Sequence, residues 1–329
     1  VVKKITNSKT PYRNKFWKVE GKSYDIPIRV NSKVKSILRR FASKTRKHLI
    51  VGIQRSGKFM PMITRMLQKE GMPLDLAYMV PVESNFNVRA RSNKSAVGLW
   101  QFIPSTGRIY GLKINRWIDE RKDPVLATKA AITYLKHLYG IFGDWELAMA
   151  AYNTGEGRVK RAINRAKKKG RKHNFWSLRL PRETRGYVPS IMAMAVIYKN
   201  PKRYGYGHVV PLSPMDETKA SLTVAFSLEE VAKRSKMSFS VLRDKNPALF
   251  LGVPPMTQTS YSFYVPQSNR QELMASLKQK PNPSKKWGHS YNALLGSSNR
   301  VTRVLEKFGA PIYFRVKNGD NLWDLSRKH

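Results

Sequence analysis

The sequence predicts an α+β chain, with a mainly α-helical domain followed by one or more small β-α-α-β modules. Three observations predict it. Apolar residues recur at helical spacing from Asn31 to about residue 200, with almost no strand signal. Several of these stretches carry explicit start and stop residues. After Asn200-Pro201 the composition turns Gly/Pro-rich, and short apolar strand patterns then flank two short helical ones.

Up to about Asp25 the pattern is weak, and residues 1–30 are expected to form an irregular basic arm. The stretch from Asn31 to Glu70 reads as helix with a break near Gly52–Gly57. Phe59, Met62, Ile63, Met66 and Leu67 fall on one helical face, and Gly71 ends it. "PLDLAYMVPVES" reads as a short apolar helix that delivers Glu83 at its end. Asp123-Pro124 is an N-cap followed by proline at the first helical position. Behind it Ala127, Ala131, Tyr134, Leu135 and Leu138 form a stripe suited to burial. Asp144 caps the next helix, with Leu147, Ala148 and Ala151 inward. "GEGRVKRAINRA" and "ETRGYVPSIMAMAVIY" supply two more helices.

The helical domain is thus assigned to residues 31–205 and a connector to 206–220, across which few core contacts are expected. The segment 221–267 reads as strand "LTVAF", a helix opened by a Ser227/Glu230 capping box, helix "SFSVLRDKN" and strand "YSFYVPQ". A polar linker is assigned to 268–310. The segment 311–329, with "YFRVKNGDNLWDLSRKH", opens a second, truncated unit.

Composition narrows the chemistry. The 329 residues contain no cysteine, which removes disulfides, thiolate catalysis and cysteine zinc sites. The six histidines are scattered, so neither metal nor cofactor is expected. The net charge of +41 points to polyanionic partners. No helix-turn-helix, zinc-finger or RRM pattern accompanies it, so nucleic acid is not the expected partner. The most apolar run, Ile191 to Tyr198, is too short for the roughly 20 residues of a spanning helix. The chain begins with Val and shows no signal peptide, as a mature or trimmed product would.

Within "PVESNFNVRARSNKSAVGLWQF" Glu83 is isolated, because no Asp or Glu follows until Asp119. A carboxyl in an apolar, aromatic pocket has its neutral form favoured and can donate a proton near neutral pH. The usual glycosidase scheme requires a second carboxylate, and the segment from Ser84 to Ile118 supplies none.

Glu83-Ser84, "GLWQF" from Gly98, "AYNTGEG" from Ala151 and "ETRGYV" from Glu183 occur in that order. This set resembles the catalytic domain of lytic murein transglycosylases, the goose-lysozyme-like family, and within it the membrane-bound D subgroup. The resemblance implies a mainly α lysozyme-like fold, and for the C-terminal units LysM peptidoglycan-binding modules, the first of them degenerate. It implies cleavage of peptidoglycan between MurNAc and GlcNAc without net hydrolysis. Glu83 would act first as general acid and then as base, the substrate's 2-acetamido group would stabilise the cation, and the muramic C6 hydroxyl would attack. It also assigns substrate contacts to Ser92, Gln101, Tyr152, Asn153, Glu183 and Tyr187. Trp100 replaces the commoner Met of its motif; Val88, Ser95 and Ile103 are further departures.

The resemblance further implies an exported, periplasmic or wall-associated monomer that binds peptidoglycan glycan strands and anionic envelope polymers. The rival readings are a hydrolytic muramidase, a non-catalytic wall-binding protein and a nucleic-acid binder. Lys and Arg crowd the first fifty residues and the stretch Arg158–Lys172. The basic surface is therefore expected to hold the protein on the wall and to stay out of the cleft.

Overall fold

The computed structural model describes residues 4–6, 15–43, 45–115, 117–222, 228–250, 252 and 261–276. Its first surprise is at the N-terminus. Strands β1 (Lys4–Thr6), β2 (Lys15–Val19) and β3 (Lys22–Tyr24) form an antiparallel sheet where an irregular arm was expected. β2 and β3 pair Trp17 with Tyr24 and Val19 with Lys22. The turn between them places Glu20 at φ 51° and Gly21 at φ 75°, so both central residues are left-handed, as a tight hairpin demands. Glu-Gly is a weaker hairpin signal than Asn-Gly, which is why the pattern reads as irregular.

A buried network fastens this sheet to the helices. The Asp25 backbone N–H donates to Asp75 at 2.7 Å, and the Asp25 carboxylate accepts from Leu74 and Asp75 N–H at 2.7 and 2.9 Å. Lys199 pairs with Asp75. Tyr24, Ile26 and Ile28 are fully buried beside it.

The helical body follows the sequence closely. α1 (Ser32–Ala42) starts at Asn31, whose side chain accepts from Val34 N–H. α2 (Arg46–Lys69) runs through Gly52 and Gly57 without the expected break. Those glycines serve close approach instead: a Cβ at Gly52 would lie 1.9 Å from Asn85 Oδ1, and one at Gly57 would lie 2.1 Å from the Leu212 carbonyl. Gly71, at φ 66°, follows the end of α2 as expected. A 3-10 turn (Leu74–Tyr78) leads into α3 (Met79–Glu83), which ends on Glu83.

α4 (Pro104–Ile109) precedes α5 (Pro124–Phe142), where Asp123 caps by accepting from Val125 and Leu126 N–H. α6 (Trp145–Thr154) is capped by Asp144, and α7 (Glu156–Lys168) and α8 (Arg182–Lys199) complete the body. The predicted α5 stripe of Ala127, Ala131, Tyr134, Leu135 and Leu138 is buried. α8 packs against α1, α3 and α6.

β4 (Glu217–Leu222), α9 (Leu228–Arg234), α10 (Phe239–Lys245) and β5 (Tyr261–Pro266) form the β-α-α-β unit, with β4 antiparallel to β5. The first strand lies earlier than the predicted Leu222–Phe226. Most of that segment, and the Ser227 cap, lie outside the described residues. α11 (Gln267–Ser276) occupies the start of the predicted polar linker, because Leu273 is buried. The truncated second unit at 311–329 lies outside the described residues.

The expectation of few contacts beyond Tyr206 is corrected. Leu212 and Met215 N–H donate to the Gln54 and Lys58 carbonyls of α2, at 2.8 and 3.1 Å. Asp119 N–H donates to the Ala248 carbonyl at 2.8 Å, and Phe250 N–H to that of Trp117 at 3.1 Å. Tyr264 OH donates to Asp123 at 3.2 Å. Residues 1–274 accordingly form one compact unit. These are long-range hydrogen bonds, most of them between backbone groups, which hydropathy patterns do not encode. Among the described residues, no helix is long and apolar enough to cross a membrane.

Candidate active site

α3 delivers Glu83 because its chain turns sharply at once. Asn85 and Phe86 take φ 51° and 57°, a sparsely populated conformation for residues with a side chain. Surrounding bonds hold that turn. Ser84 Oγ donates to the Leu99 carbonyl at 2.8 Å, and Asn85 Nδ2 to the His48 carbonyl at 2.7 Å. Ser84 thereby ties the acid to the "GLWQF" loop.

The loop is itself braced from behind. Gly98 has φ 86° and lies so close to the Arg121 carbonyl that a Cβ would come within 1.8 Å. Arg121 Nη1 donates to the Ser95 and Phe102 carbonyls at 2.8 and 3.0 Å. Its charge is matched by Asp119 at 2.8 and 2.9 Å. Trp100, fully buried, donates to Thr128 Oγ1 at 2.9 Å and accepts at its carbonyl from Tyr152 OH at 2.8 Å.

These elements enclose a cleft of about 1670 Å³. Glu83, Ser92, Gln101, Tyr152, Asn153, Glu183 and Tyr187 all line it. Residues a hundred positions apart in sequence are therefore brought together. Tyr187 OH donates directly to Glu83 Oε1. Burial pushes the Glu83 carboxyl up to about 7; the Tyr187 bond opposes this and the Glu183 charge adds to it. Burial and the Glu83 charge hold the Tyr187 phenol well above its ordinary range, so it stays a neutral donor.

The polar groups present distinct faces. Asn153 Oδ1 accepts from Thr184 Oγ1 at 2.8 Å, which leaves its amide N–H group without a partner among the described residues. Gln101, at φ 48°, spends its amide N–H group on the Ala90 and Gly98 carbonyls at 3.3 and 2.9 Å, which leaves its Oε1 as an acceptor. Ser92 Oγ accepts from Lys94 and Ala96 N–H at 3.2 and 3.1 Å, shaping its own loop. Glu183 is 68% exposed and pairs with Lys94 at 3.5 Å.

Sequence reasoning missed part of the lining. Tyr134 and Phe102 add an aromatic wall, with the Tyr134 and Tyr152 rings 5.1 Å apart. Tyr134 lay in the predicted α5 stripe, and only its length distinguishes it from a core residue. The expectation that basic residues avoid the cleft is also corrected. Lys33, Arg40, Lys94, Arg182 and Arg185 all line it. Four of them come from α1 and α8, which packing brings to the cleft from distant sequence. No cluster of His, Asp or Glu suited to a metal occurs among the described residues.

A helical cleft with one half-buried carboxyl of raised pKa defines a class that comparison with known families specifies. The family model described as Transglycosylase SLT domain matches residues 61–175. Among individual proteins, the chain is 36% identical over 267 residues to the membrane-bound lytic murein transglycosylase D of Escherichia coli K12, covering 80% of this chain and 58% of that protein. It is 35% identical over 128 residues to the peptidoglycan transglycosylase gp16 of Escherichia phage T7, covering 38% of this chain and 9% of that protein. A solved 70 kDa soluble lytic transglycosylase from Escherichia coli superposes at TM-score 0.35 with 22% identity, over 55% of this chain and 32% of that one, too loosely to carry an argument. The chain spans 58% of the length of the curated relatives it matches first.

Proposed function

We propose that this chain cleaves peptidoglycan glycan strands as a lytic transglycosylase, with Glu83 as general acid and then base. The observation that carries the reading is Glu83 itself. It opens on a large cleft, holds its proton to about pH 7, and accepts a hydrogen bond from the Tyr187 phenol. In the first step Glu83 gives its proton to the glycosidic oxygen as the C1–O bond breaks. The substrate's acetamido carbonyl shields the cation at C1. In the second step the Glu83 carboxylate takes the proton of the muramic C6 hydroxyl while O6 bonds to C1. The acid is regenerated, no water is consumed, and a 1,6-anhydro end results.

The free N–H group of Asn153 and the free Oε1 of Gln101 suit the carbonyl and N–H of an acetamido group. Tyr152, Tyr134 and Phe102 supply an apolar wall for pyranose faces. The similarity to proteins described as murein and peptidoglycan transglycosylases supports the substrate. An exported or wall-associated location, and a binding role for the β-α-α-β unit as a LysM-like module, follow as parts of the same proposal.

One observation favours a second reading. Glu183 brings a second carboxylate to the same cleft, so a hydrolytic muramidase with a water nucleophile has a candidate base. Glu183 is largely solvated and tied to Lys94, which favours the first reading. Mass spectrometry of products from purified sacculi separates the two. Anhydro ends, lighter by one water, are expected; reducing ends alone would establish hydrolysis.

A further inference from the structure

The cationic side of the cleft gathers four basic residues and, among the described residues, one acid, Glu183. On α1, Lys33, Ser36, Ile37 and Arg40 fall at i, i+3, i+4 and i+7, and all four line the cleft. α8 packs against α1, and the first turn of α8 contributes Arg182 and Arg185 to the same cleft. Lys33 and Arg185 are exposed and line the same cleft, and desolvation, followed by the charge of Arg185, pushes the Lys33 amine below its ordinary range. Neither has an acidic partner among the described residues. The acid in the first turn of α8, Glu183, is turned to Lys94.

Like charges gathered on a concave wall, beside the positive end of a long helix, repel one another unless an anion sits between them. A neutral sugar chain would not require them. Several other basic residues of this chain are paired: Arg121 with Asp119, Lys199 with Asp75, Lys245 with Asp216 and Glu217.

We propose that Lys33 and Arg185, flanked by Arg40 and Arg182, form a carboxylate-binding subsite that holds an acidic substituent of the glycan substrate while the sugar lies against Glu83. The proposal rests on the functional reading above and names the substrate feature that this wall selects. Two parts of peptidoglycan carry such carboxylates. One is the stem peptide. The other is the lactyl group of muramic acid once its peptide is removed.

Binding distinguishes the sources without requiring turnover. The full chain carrying Glu83→Gln is titrated with three probes: a neutral chito-oligosaccharide, an amidase-trimmed glycan with free lactyl carboxylates, and a glycan that retains its peptides. The peptide-bearing glycan is expected to bind best. Lys33→Gln with Arg185→Gln should reduce that preference over the neutral probe by about tenfold, as loss of a charge-assisted contact does. The charge-retaining pair Lys33→Arg with Arg185→Lys should restore much of it, and added salt should erode it.

Loss of preference for the amidase-trimmed probe alone assigns the lactyl carboxylate, loss for the peptide-bearing probe alone assigns the stem, and loss for both shows that the wall takes either carboxylate. An unaltered preference overturns the proposal. So does an equal fall for all three probes, which marks a merely structural role. A charge-dependent preference without anhydro products from the wild-type chain would leave this subsite standing and overturn the transglycosylase reading; no binding to any probe would overturn both.

Discussion

Asp75 and Glu83 lie eight residues apart, the first buried and the second half-buried, and both have their protonation pushed upward by desolvation. Their surroundings differ. Asp75 is closed in: the Asp25 backbone N–H donates to it, Lys199 pairs with it, and its side chain is 3% exposed. The Asp25 charge adds to the upward push and Lys199 opposes it. Glu83 receives one phenol and opens on the cleft. The difference teaches that a displaced pKa marks burial and no more. Access to a reacting atom turns such an acid into a proton donor. Asp75 holds the N-terminal sheet on the helices; Glu83 is free to give up its proton and recover it.

Substitution should separate the two. Glu83→Gln keeps the shape and removes the proton, so turnover of sacculi should fall by about 10²–10⁴-fold while circular dichroism is unaltered. Turbidity loss at the wild-type rate would end the assignment. Asp75→Asn should do the reverse. It strands Lys199 and weakens the tie to Asp25, lowering unfolding free energy by about 2–3 kcal/mol in denaturant titration. Residual activity per folded molecule should stay close to wild type.

The next effect is on stability against pH. The folded pKa of Glu83 is raised above its unfolded value. Its contribution is therefore fully present below about pH 4.5 and is lost as pH rises through about 7. Glu83→Gln should match wild type near pH 4 and exceed it at pH 8 by on the order of 2 kcal/mol, since the cleft is partly solvated. An advantage that grows toward low pH would contradict the sign. The smallest effect is expected from Tyr187→Phe. Its hydroxyl favours the carboxylate, so its loss should move the alkaline limb of the activity profile upward, by about one pH unit at most. A downward move would show that the phenol does not donate to Glu83.

Much of this was legible in sequence where the cause is local. Asp123, Asp144 and Gly71 announce helix ends through their own side chains or lack of one. The α5 stripe announces its buried face by spacing. Glu83 stood out because no acid follows it before Asp119. Its partners were legible only as motifs, since Tyr187 lies 104 residues away and only the packing of α8 on α3 joins them. The misreadings share one cause. Gly52 and Gly57 resemble a helix break because their reasons, Asn85 and Leu212, lie elsewhere in the chain. The N-terminal sheet depends on a Glu-Gly turn and on Asp75. The cationic wall needs α1 and α8 together, and neither helix alone reveals it.

The central claim is that Glu83 holds a proton near neutral pH while facing open space. Carbon-13 NMR of the labelled glutamate carboxyls, with Glu83 assigned by its disappearance in Glu83→Gln, tests it most directly. The account predicts one carboxyl titrating near pH 7 and belonging to Glu83. A Glu83 carboxyl that titrates at or below the ordinary value of about 4.5 would mean that the carboxylate is already compensated, and would contradict its role as the acid.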